Sequence, residues 1–528
     1  MAKIKKMKFY NDFYIQGDLP DENIAWIDKV LEMGKVDKLK SILQDSAKLA
    51  GRECVQNIKL YDAQTLPVAM SLFNKTLFIG DKPGLGKTVM SAGAYALWRK
   101  KAIENGEDIG KLILVTDSSH VVGMTNEYRK YGIKLKPLYG GSVKIERATE
   151  GLDMTTDEWD GVATNWDSLK VNGFLFYYLD NQDYFTCGVF DETSAVKNNK
   201  NMLFENAKKI ADNLERKIFL NGSTFETSIM DIFNQFKVLN DSVLPLKKFL
   251  NERYVIQGKR SWYESQYDFA TNRYKPVKRF AYRIANYTNQ SELKERLKYF
   301  YIARSKKDFS KDLPLKTYIL HPVEMTGIMA REMSESNSNY DVILNSPTTS
   351  DKSKKFTYKS VPKFEKLINL FESMAEERPV IYCLHRDSQK EIQNKLRNLG
   401  YRIGIINGEL DSEEKQKELQ KFEDKTYDGL IINVKKAISI FSSNAMIFYN
   451  VPTNSQATYQ IMARIDRNNY KDSKQYHFLV YLESPEVMNM IELAHFREEH
   501  SGKFTGQEED VYAQLIKQLE NHLEGGEE

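Results

Sequence analysis

The chain has 528 residues and carries 76 Lys and Arg against 73 Asp and Glu, so its charges nearly cancel and any nucleic-acid contact must come from a local patch rather than from bulk basicity. Hydrophobic residues at 41% and charged residues at 28% fit a soluble chain of roughly two to four domains, each able to bury a sizeable core. The cysteines Cys54, Cys187 and Cys383 are scattered without disulfide or zinc spacing, no apolar run reaches membrane-spanning length, and the basic start Met1-Ala2-Lys3-Ile4-Lys5-Lys6 lacks a signal-peptide core, which together point to a reducing cytoplasm and away from a membrane partner.

Residues 1–54 read as a small N-terminal extension, with a strand-like piece at Phe9–Ile15 and helical patterns at Asn23–Met33 and Val36–Leu49. From 55 to 240 apolar strands alternate with amphipathic helices. The strand candidates are Leu77–Ile79, Leu112–Thr116, Gly161–Thr164, Thr186–Phe190 and Lys217–Leu220, a pattern that predicts a parallel sheet covered by helices.

The first strand runs into Asp81-Lys82-Pro83-Gly84-Leu85-Gly86-Lys87-Thr88 and then the helix-like Val89-Met90-Ser91-Ala92. A strand, a glycine loop ending in Lys-Thr and a helix is the arrangement a nucleotide phosphate needs. Glycines such as Gly84 and Gly86 let backbone N–H groups approach the phosphates, Lys87 neutralises β/γ charge, and the Thr88 hydroxyl ligates Mg²⁺ at the helix N-terminus. The usual pattern has Gly at the first loop position, where this chain has Asp81. Further on, Cys187-Gly188-Val189-Phe190-Asp191-Glu192 is an apolar strand ending in two carboxylates. Asp191 suits the Mg²⁺ shell and Glu192 the polarisation of an attacking water.

Between 241 and 315 the apolar strands give way to Lys, Arg, Tyr and Phe, as in Arg260-Ser261-Trp262-Tyr263 and Arg279-Phe280-Ala281-Tyr282-Arg283. This stretch reads as a helical basic/aromatic insertion; such interleaving serves either a nucleic-acid backbone with stacked bases or a solvated helix face. Residues 335–360, rich in Ser, Asn, Thr and Lys, read as an exposed loop. Within 316–485 a second strand–helix alternation follows, with strand candidates Val380–Leu384, Arg402–Ile406, Gly429–Ile432, Ala445–Tyr449 and Tyr476–Tyr481 but no second phosphate loop. Residues 486–528 form a helical tail with an acidic end. In Gln460-Ile461-Met462-Ala463-Arg464-Ile465-Asp466-Arg467, helical spacing puts Gln460, Arg464 and Arg467 on one face, as an arginine finger for a γ-phosphate requires.

These motifs, in this order, resemble those of a superfamily-two helicase-type ATPase of the Swi/Snf branch. The loop at 81–88 is similar to that branch's Asp-Glu-Met-Gly-Leu-Gly-Lys-Thr, which also opens on Asp. Asp191-Glu192-Thr193-Ser194-Ala195-Val196-Lys197-Asn198 resembles Asp-Glu-Ala-His-x-x-Lys-Asn, and Leu220-Asn221-Gly222-Ser223-Thr224 stands where Leu-Thr-Gly-Thr-Pro is expected. Ala303-Arg304-Ser305-Lys306-Lys307-Asp308 with Leu313-Pro314-Leu315-Lys316 resembles Arg-Arg-x-Lys-Lys-Asp…Leu-Pro-Pro-Lys, the 460–467 octet keeps Gln-x-x-x-Arg-x-x-Arg, and Tyr61-Asp62-Ala63-Gln64 resembles the segment whose glutamine reads adenine.

The resemblance implies an α/β fold of two tandem RecA-like parallel-sheet lobes, with ATP and Mg²⁺ as cofactors and DNA, double-stranded, as partner. By residue, it implies Lys87 and Thr88 on phosphate and Mg²⁺, Asp191 on Mg²⁺, Glu192 on water, Gln64 on adenine, Asp81, Gly84, Gly86 and Gln460 in the nucleotide site, and Arg464 and Arg467 as catalytic arginines. Nucleic-acid contacts are expected from Thr116, Thr164 and Asn165 in the first lobe, and from His385, Arg386, Asn407 and Gly408 in the second. Three positions depart from the family: Ser194 replaces its His, Phe225 stands near its missing proline, and Asn433–Phe441 lacks its Gly-rich loop, leaving Lys435 and Lys436 either as phosphate contacts there or as solvated charges. The expected activity is DNA-stimulated ATP hydrolysis driving translocation on duplex DNA and displacement of what is bound there. The alternatives are a strand-separating or annealing helicase and an ATP-dependent clamp acting on a protein partner such as RNA polymerase. The compact core suits a bacteriophage or bacterial enzyme, working in the cytoplasm of the host cell.

Overall fold

The computed structural model describes residues 19–56, 58–197, 201–222, 231–244, 247–268, 273–304, 316–326, 361–433, 440–452, 455–465, 473–482 and 511–524, with Ile438, Ser484, Glu486, Val487, Met490 and Ile491. The strand expected at Phe9–Ile15 and the loop expected at 335–360 lie outside them. The chain forms two compact units, one built mainly from Lys87–Arg304 with the preceding Met1–Asp81, the other mainly from Ser305–Glu498.

The first unit holds seven strands: β1 (Thr76–Ile79), β2 (Lys111–Thr116), β3 (Leu135–Pro137), β4 (Gly161–Asn165), β5 (Phe185–Asp191), β6 (Arg216–Leu220) and β9 (Tyr301–Ile302). They form one wholly parallel sheet in the order β3-β4-β2-β5-β6-β1-β9. The central strands are apolar and buried along nearly their whole length, because helices cover both faces of a parallel sheet. The N-terminal helices Asp21–Met33 and Ile42–Leu49 belong to this unit. Trp26 packs on Phe73 with ring centroids 3.9 Å apart, and the Arg99 Nε–H donates to Ser46 Oγ at 2.8 Å.

The second unit holds six strands: β10 (Lys316–Val323), β11 (Val380–Tyr382), β12 (Ile403–Ile406), β13 (Gly429–Ile432), β14 (Ala445–Phe448) and β15 (Lys474–Tyr481). They form a parallel sheet ordered β10-β15-β14-β11-β13-β12. Alternate residues feed two cores, one around Tyr382, Phe448 and Phe478, the other around Phe371, Ile447 and Leu479. The edge strand β10 is covered by the helix Val511–Glu524, whose Gln518 accepts from Leu320 N at 2.9 Å and donates to Tyr318 O at 2.7 Å, meeting backbone groups a further strand would have paired.

The insertion corrects one expectation. Between the helices Lys247–Tyr254 and Gln290–Leu297 lies a long antiparallel ribbon of β7 (Val255–Asp268) and β8 (Arg273–Tyr287), forming a two-stranded sheet of its own rather than helices. Its Tyr, Trp and Phe content favours a pleated backbone over a helix.

Candidate active site

Three neighbouring strands bring the phosphate loop and the carboxylates to one end of the first sheet. Strand β6 lies between β5 and β1, with Leu220 paired to both Asp191 and Ile79, so the residues after each strand emerge together. The Asn221 N–H donates to Ile79 O at 3.1 Å and pins the end of β6 to that of β1. After β1 the loop turns through Gly84 (φ 87°) and Gly86 (φ 82°), left-handed conformations that a side chain would strain, and enters the helix Lys87–Asn105. The Lys87 ammonium folds back to donate to Asp81 O at 2.8 Å, and Thr88 is the second residue of that helix.

Asp191 closes β5. Its Oδ2 accepts the Thr116 hydroxyl at 2.8 Å and its carbonyl accepts the Trp166 indole N–H at 2.8 Å. Burial, and then the charge of Glu192, push the Asp191 carboxyl up to about 7, while the Thr116 hydrogen bond and the Lys87 charge pull the other way. Glu192 sits at φ 53°, ψ 51°, a left-handed backbone that a non-glycine residue holds only when its surroundings impose it. The next residue is tied down: Thr193 Oγ1 donates to Gln235 Oε1 at 2.6 Å, and the same oxygen accepts Asn221 Nδ2 at 3.1 Å. Gln235 therefore joins the segment after the carboxylate pair to the segment after β6, a link the sequence did not signal because Gln235 stands in no motif.

The Asp81 side chain is taken up by Arg304. Its carboxylate is fully buried and paired with Arg304, Nε to Oδ1 at 3.1 Å and Nη2 to Oδ2 at 2.6 Å. Gln64 is buried, and its Oε1 accepts the Tyr61 N–H at 3.0 Å, bracing the start of the helix Asp62–Phe73. Thr116, Thr164 and Asn165 lie at adjacent ends of β2 and β4, where Thr116 pairs with Asn165, and all three are buried. Thr116 is engaged by Asp191, and Asn165 Oδ1 accepts the Ser168 hydroxyl, so neither presents a surface to a nucleic acid.

In the second unit, the ends of β11 and β12 gather His385, Arg386, Asn407 and Gly408. His385 precedes the helix Arg386–Asn398, and its Nε2 is buried with no hydrogen-bond partner among the described residues. Arg386 Nη1 reaches Glu409 Oε1 at 3.1 Å on the surface. The Asn407 amide is used internally, donating to Gln389 Oε1 at 3.0 Å and accepting from Glu409 N at 2.9 Å, so it positions this corner. The helix Ser455–Met462 carries the buried Gln460 but ends before Arg464, so the helical face expected to run through Arg464 stops short. Arg464 lies in the turn after it, buried, donating to Gln460 O at 2.9 Å and Ile438 O at 3.0 Å. Arg467, Lys435 and Lys436 lie outside the described residues.

Residues 61–370 match the SNF2-related domain and residues 362–469 the helicase conserved C-terminal domain, the first match alone covering more than half the chain. The chain belongs to the SNF2-related family. Its two units are each built on a parallel sheet, and the two domain matches follow one another along the chain.

Among similar proteins are the DEAD-box ATP-dependent RNA helicase CshB of Staphylococcus aureus, 24% identical over 159 residues (30% of this chain and 32% of that protein), and a probable ATP-dependent RNA helicase of Methanocaldococcus jannaschii, 28% identical over 107 residues (20% and 28%). The match thus spans about a third of the length of these relatives. The solved structure of the Sulfolobus solfataricus SWI2/SNF2 ATPase core in complex with dsDNA aligns over 82% of this chain and 90% of that one, at 18% identity and a TM-score of 0.36. Among the described residues, no helix of this SNF2-related chain is long and apolar enough to cross a membrane.

Proposed function

We propose that this SNF2-related ATPase hydrolyses ATP with Mg²⁺ in response to double-stranded DNA, moves along the duplex, and remodels it or displaces what is bound there. The observation that carries this reading is the convergence of the glycine loop, Lys87, Asp191 and Glu192 at one sheet end, inside a segment that matches the SNF2-related domain.

The residues fit the two cofactors. The left-handed Gly84 and Gly86 leave a side-chain-free backbone for phosphate oxygens. Among the described residues no cluster of three metal-ligating side chains exists, and the donor set of Asp191 and Thr88 suits Mg²⁺, which binds through one or two protein oxygens together with substrate phosphates. When bound, the cation and nucleotide provide charge neutralisation and the scissile phosphoanhydride.

The chain's own contributions then divide. Lys87 exchanges its Asp81 carbonyl for phosphate oxygens. Glu192, held at a fixed backbone angle, orients the attacking water and takes its proton. Gln64 contacts adenine, and Arg464 and Arg467 are the candidate arginines for transition-state charge.

The test is ATP turnover by the purified chain with no nucleic acid, single-stranded DNA, duplex DNA or RNA, with Glu192→Gln as the blank. Strong stimulation by duplex alone is the expected result. Stimulation by single strands or RNA alone overturns the duplex reading, and no stimulation by any of them moves the activator to a protein.

A further inference from the structure

We infer that Gln235 is a positioning residue for ATP hydrolysis: its side-chain oxygen ties the turn after Glu192 to the neighbouring strand ends, and so sets the aim of the Glu192 carboxylate. The inference rests on the water-activating role given to Glu192 above and adds a second residue to it.

Gln235 belongs to the helix Asp231–Leu239 and is buried, with 1% of its surface exposed. An amide oxygen carries two lone pairs, and here each has a donor. The Thr193 hydroxyl donates at 2.6 Å and the Asn221 Nδ2 at 3.1 Å. Thr193 and Asn221 are fully buried, so a donor deprived of this oxygen has no bulk water to turn to, which makes each bond costly to lose. The neighbouring Asn234 reaches the far end of the same turn, where its Nδ2 donates to Lys197 O at 2.5 Å. Thr193–Val196 is a short 3₁₀ turn that Lys197 closes. Two consecutive side chains of one helix therefore grip both ends of the turn that follows Glu192.

That turn governs where Glu192 stands. The Glu192 carbonyl accepts the Ala195 N–H at 3.2 Å, so Glu192 is the first link of the turn. Its left-handed φ of 53° persists only under constraint from its surroundings, and the nearest anchored residue is Thr193. Threonine is β-branched, so tying its hydroxyl leaves χ1 little freedom. The second donor leads the other way: the Asn221 N–H bonds Ile79 O, at the end of the strand that runs into the glycine loop. One oxygen thus connects the carboxylate segment with the end of β1. A leucine at 235 would pack a helix on a sheet without needing partners, whereas a buried amide costs free energy unless it is satisfied. The two donors account for the glutamine. A reacting group misplaced by about 1 Å costs on the order of 10²-fold in rate, so a tie of this kind acts on turnover rather than on nucleotide binding.

The experiment is steady-state ATP turnover by the full chain, with and without duplex DNA, beside nucleotide titration. The variants are Gln235→Met, Thr193→Val, Thr193→Ser, the double variant Gln235→Met with Thr193→Val, and Glu192→Gln. Met keeps the length of Gln235 without its amide oxygen. Val keeps the shape of Thr193 without the hydroxyl, and Ser keeps the hydroxyl without the methyl. Gln235→Met and Thr193→Val are each expected to lower kcat about 10–100-fold with KM and ATP affinity unchanged. The double variant loses no more than the worse single one, as expected for two ends of one bond. Thr193→Ser keeps kcat close to the wild type. Wild-type kcat in Gln235→Met overturns the positioning role. So do a larger loss in Ser than in Val, losses that multiply in the double variant, or a raised KM with kcat intact, each of which marks a packing contact. Should Gln235→Met fail to fold, the Thr193 pair decides alone. If Glu192→Gln turns over ATP like the wild type, the reading of Glu192 falls first and Gln235 has nothing to position.

Discussion

The carboxylate of Asp81 and the guanidinium of Arg304 form a two-point ion pair across 223 residues of sequence, with Asp81 fully buried at the head of the phosphate loop. Arg304 also donates its own backbone N–H to Asp81 Oδ1 at 2.9 Å and its Nη1 to Ala63 O, and its Nη2 lies 3.7 Å from Met90 Sδ. One guanidinium therefore ties the glutamine helix, the loop head and the helix after the loop to the end of β9. Asp81, whose carbonyl holds Lys87, is a positioning residue.

That geometry makes Arg304→Lys a demanding test. A lysine keeps the charge but cannot offer two parallel N–H donors to Asp81. ATP affinity is expected to fall about tenfold, roughly 1.4 kcal/mol, with the chain still folded by circular dichroism. Nucleotide titration of the Lys variant checks this, and an unchanged affinity means the pair is structural only.

Glu192 combines a chemical role with a strained backbone. Glu192→Gln is expected to retain ATP binding while turnover falls by about 10²–10⁴-fold, the usual share of a positioned base. Because φ is 53° there, Glu192→Gly should be more stable than Glu192→Ala by about 1–2 kcal/mol, with both inactive. Urea unfolding and steady-state hydrolysis measure the two effects separately. Equal stability of the Gly and Ala variants would remove the strain from the account.

Much of the fold was legible because parallel strands buried on both faces read as apolar runs: β1, β2, β5, β6, β13 and β14 stand out in the sequence as Leu77–Ile79 or Gly429–Ile432 do. The strands that escaped notice, β3, β9 and β10, lie at sheet edges, where they are short or carry polar residues such as Lys136 and His321. The ribbon escaped for a different reason. Cationic and aromatic residues fall at both odd and even positions along it, so no apolar–polar period of two appears in hydropathy. Lys87-Thr88 and Asp191-Glu192 were readable because their chemistry is local in sequence. The partners of Arg304, which stands in a recognised motif, and of Gln235, which stands in none, were not, since each acquires them only when distant strands come together.

His321 and His477 make a pH-dependent joint between β10 and β15. His477 stands opposite Ile319, two residues from His321, so the rings share a face and stack with centroids 5.2 Å apart. His477 Nε2 lies 3.3 Å from Gln475 Oε1, to which it can only donate, leaving Nδ1 to accept from His321 Nε2 at 2.9 Å. Burial pushes both rings down to about 4, with Lys366 adding to the effect at His321 and His321 at His477. Between the ordinary value of 6.5 and 4 the unfolded chain binds protons that the folded chain refuses, so stability rises with pH across that window. Thermal unfolding is expected to show a midpoint that is constant above about pH 6.5 and falls towards pH 4, with a shallower fall in His477→Gln. An identical acid profile in the variant would assign the acid sensitivity to other groups.

Lys363 lies fully buried at the second position of the helix Pro362–Ser373, a place where both burial and the positive helix N-terminus oppose an ammonium. Burial holds its pKa below the ordinary lysine value. Glu486 offsets this with both oxygens, at 2.7 and 2.8 Å, and also accepts the Tyr481 N–H at 3.2 Å, while the rings of Tyr449 and Tyr481 lie 5.5 and 5.2 Å from the ammonium. Removing one partner leaves the other uncompensated, so Glu486→Gln is expected to destabilise the second unit by about 3–5 kcal/mol. Adding Lys363→Met to that variant removes the stranded charge and should recover a large part of the loss, because an apolar replacement of a buried pair is often close to neutral. Denaturant unfolding of the wild type, both single variants and the double variant closes the cycle. Strictly additive losses would show that the two side chains contribute independently rather than as a pair.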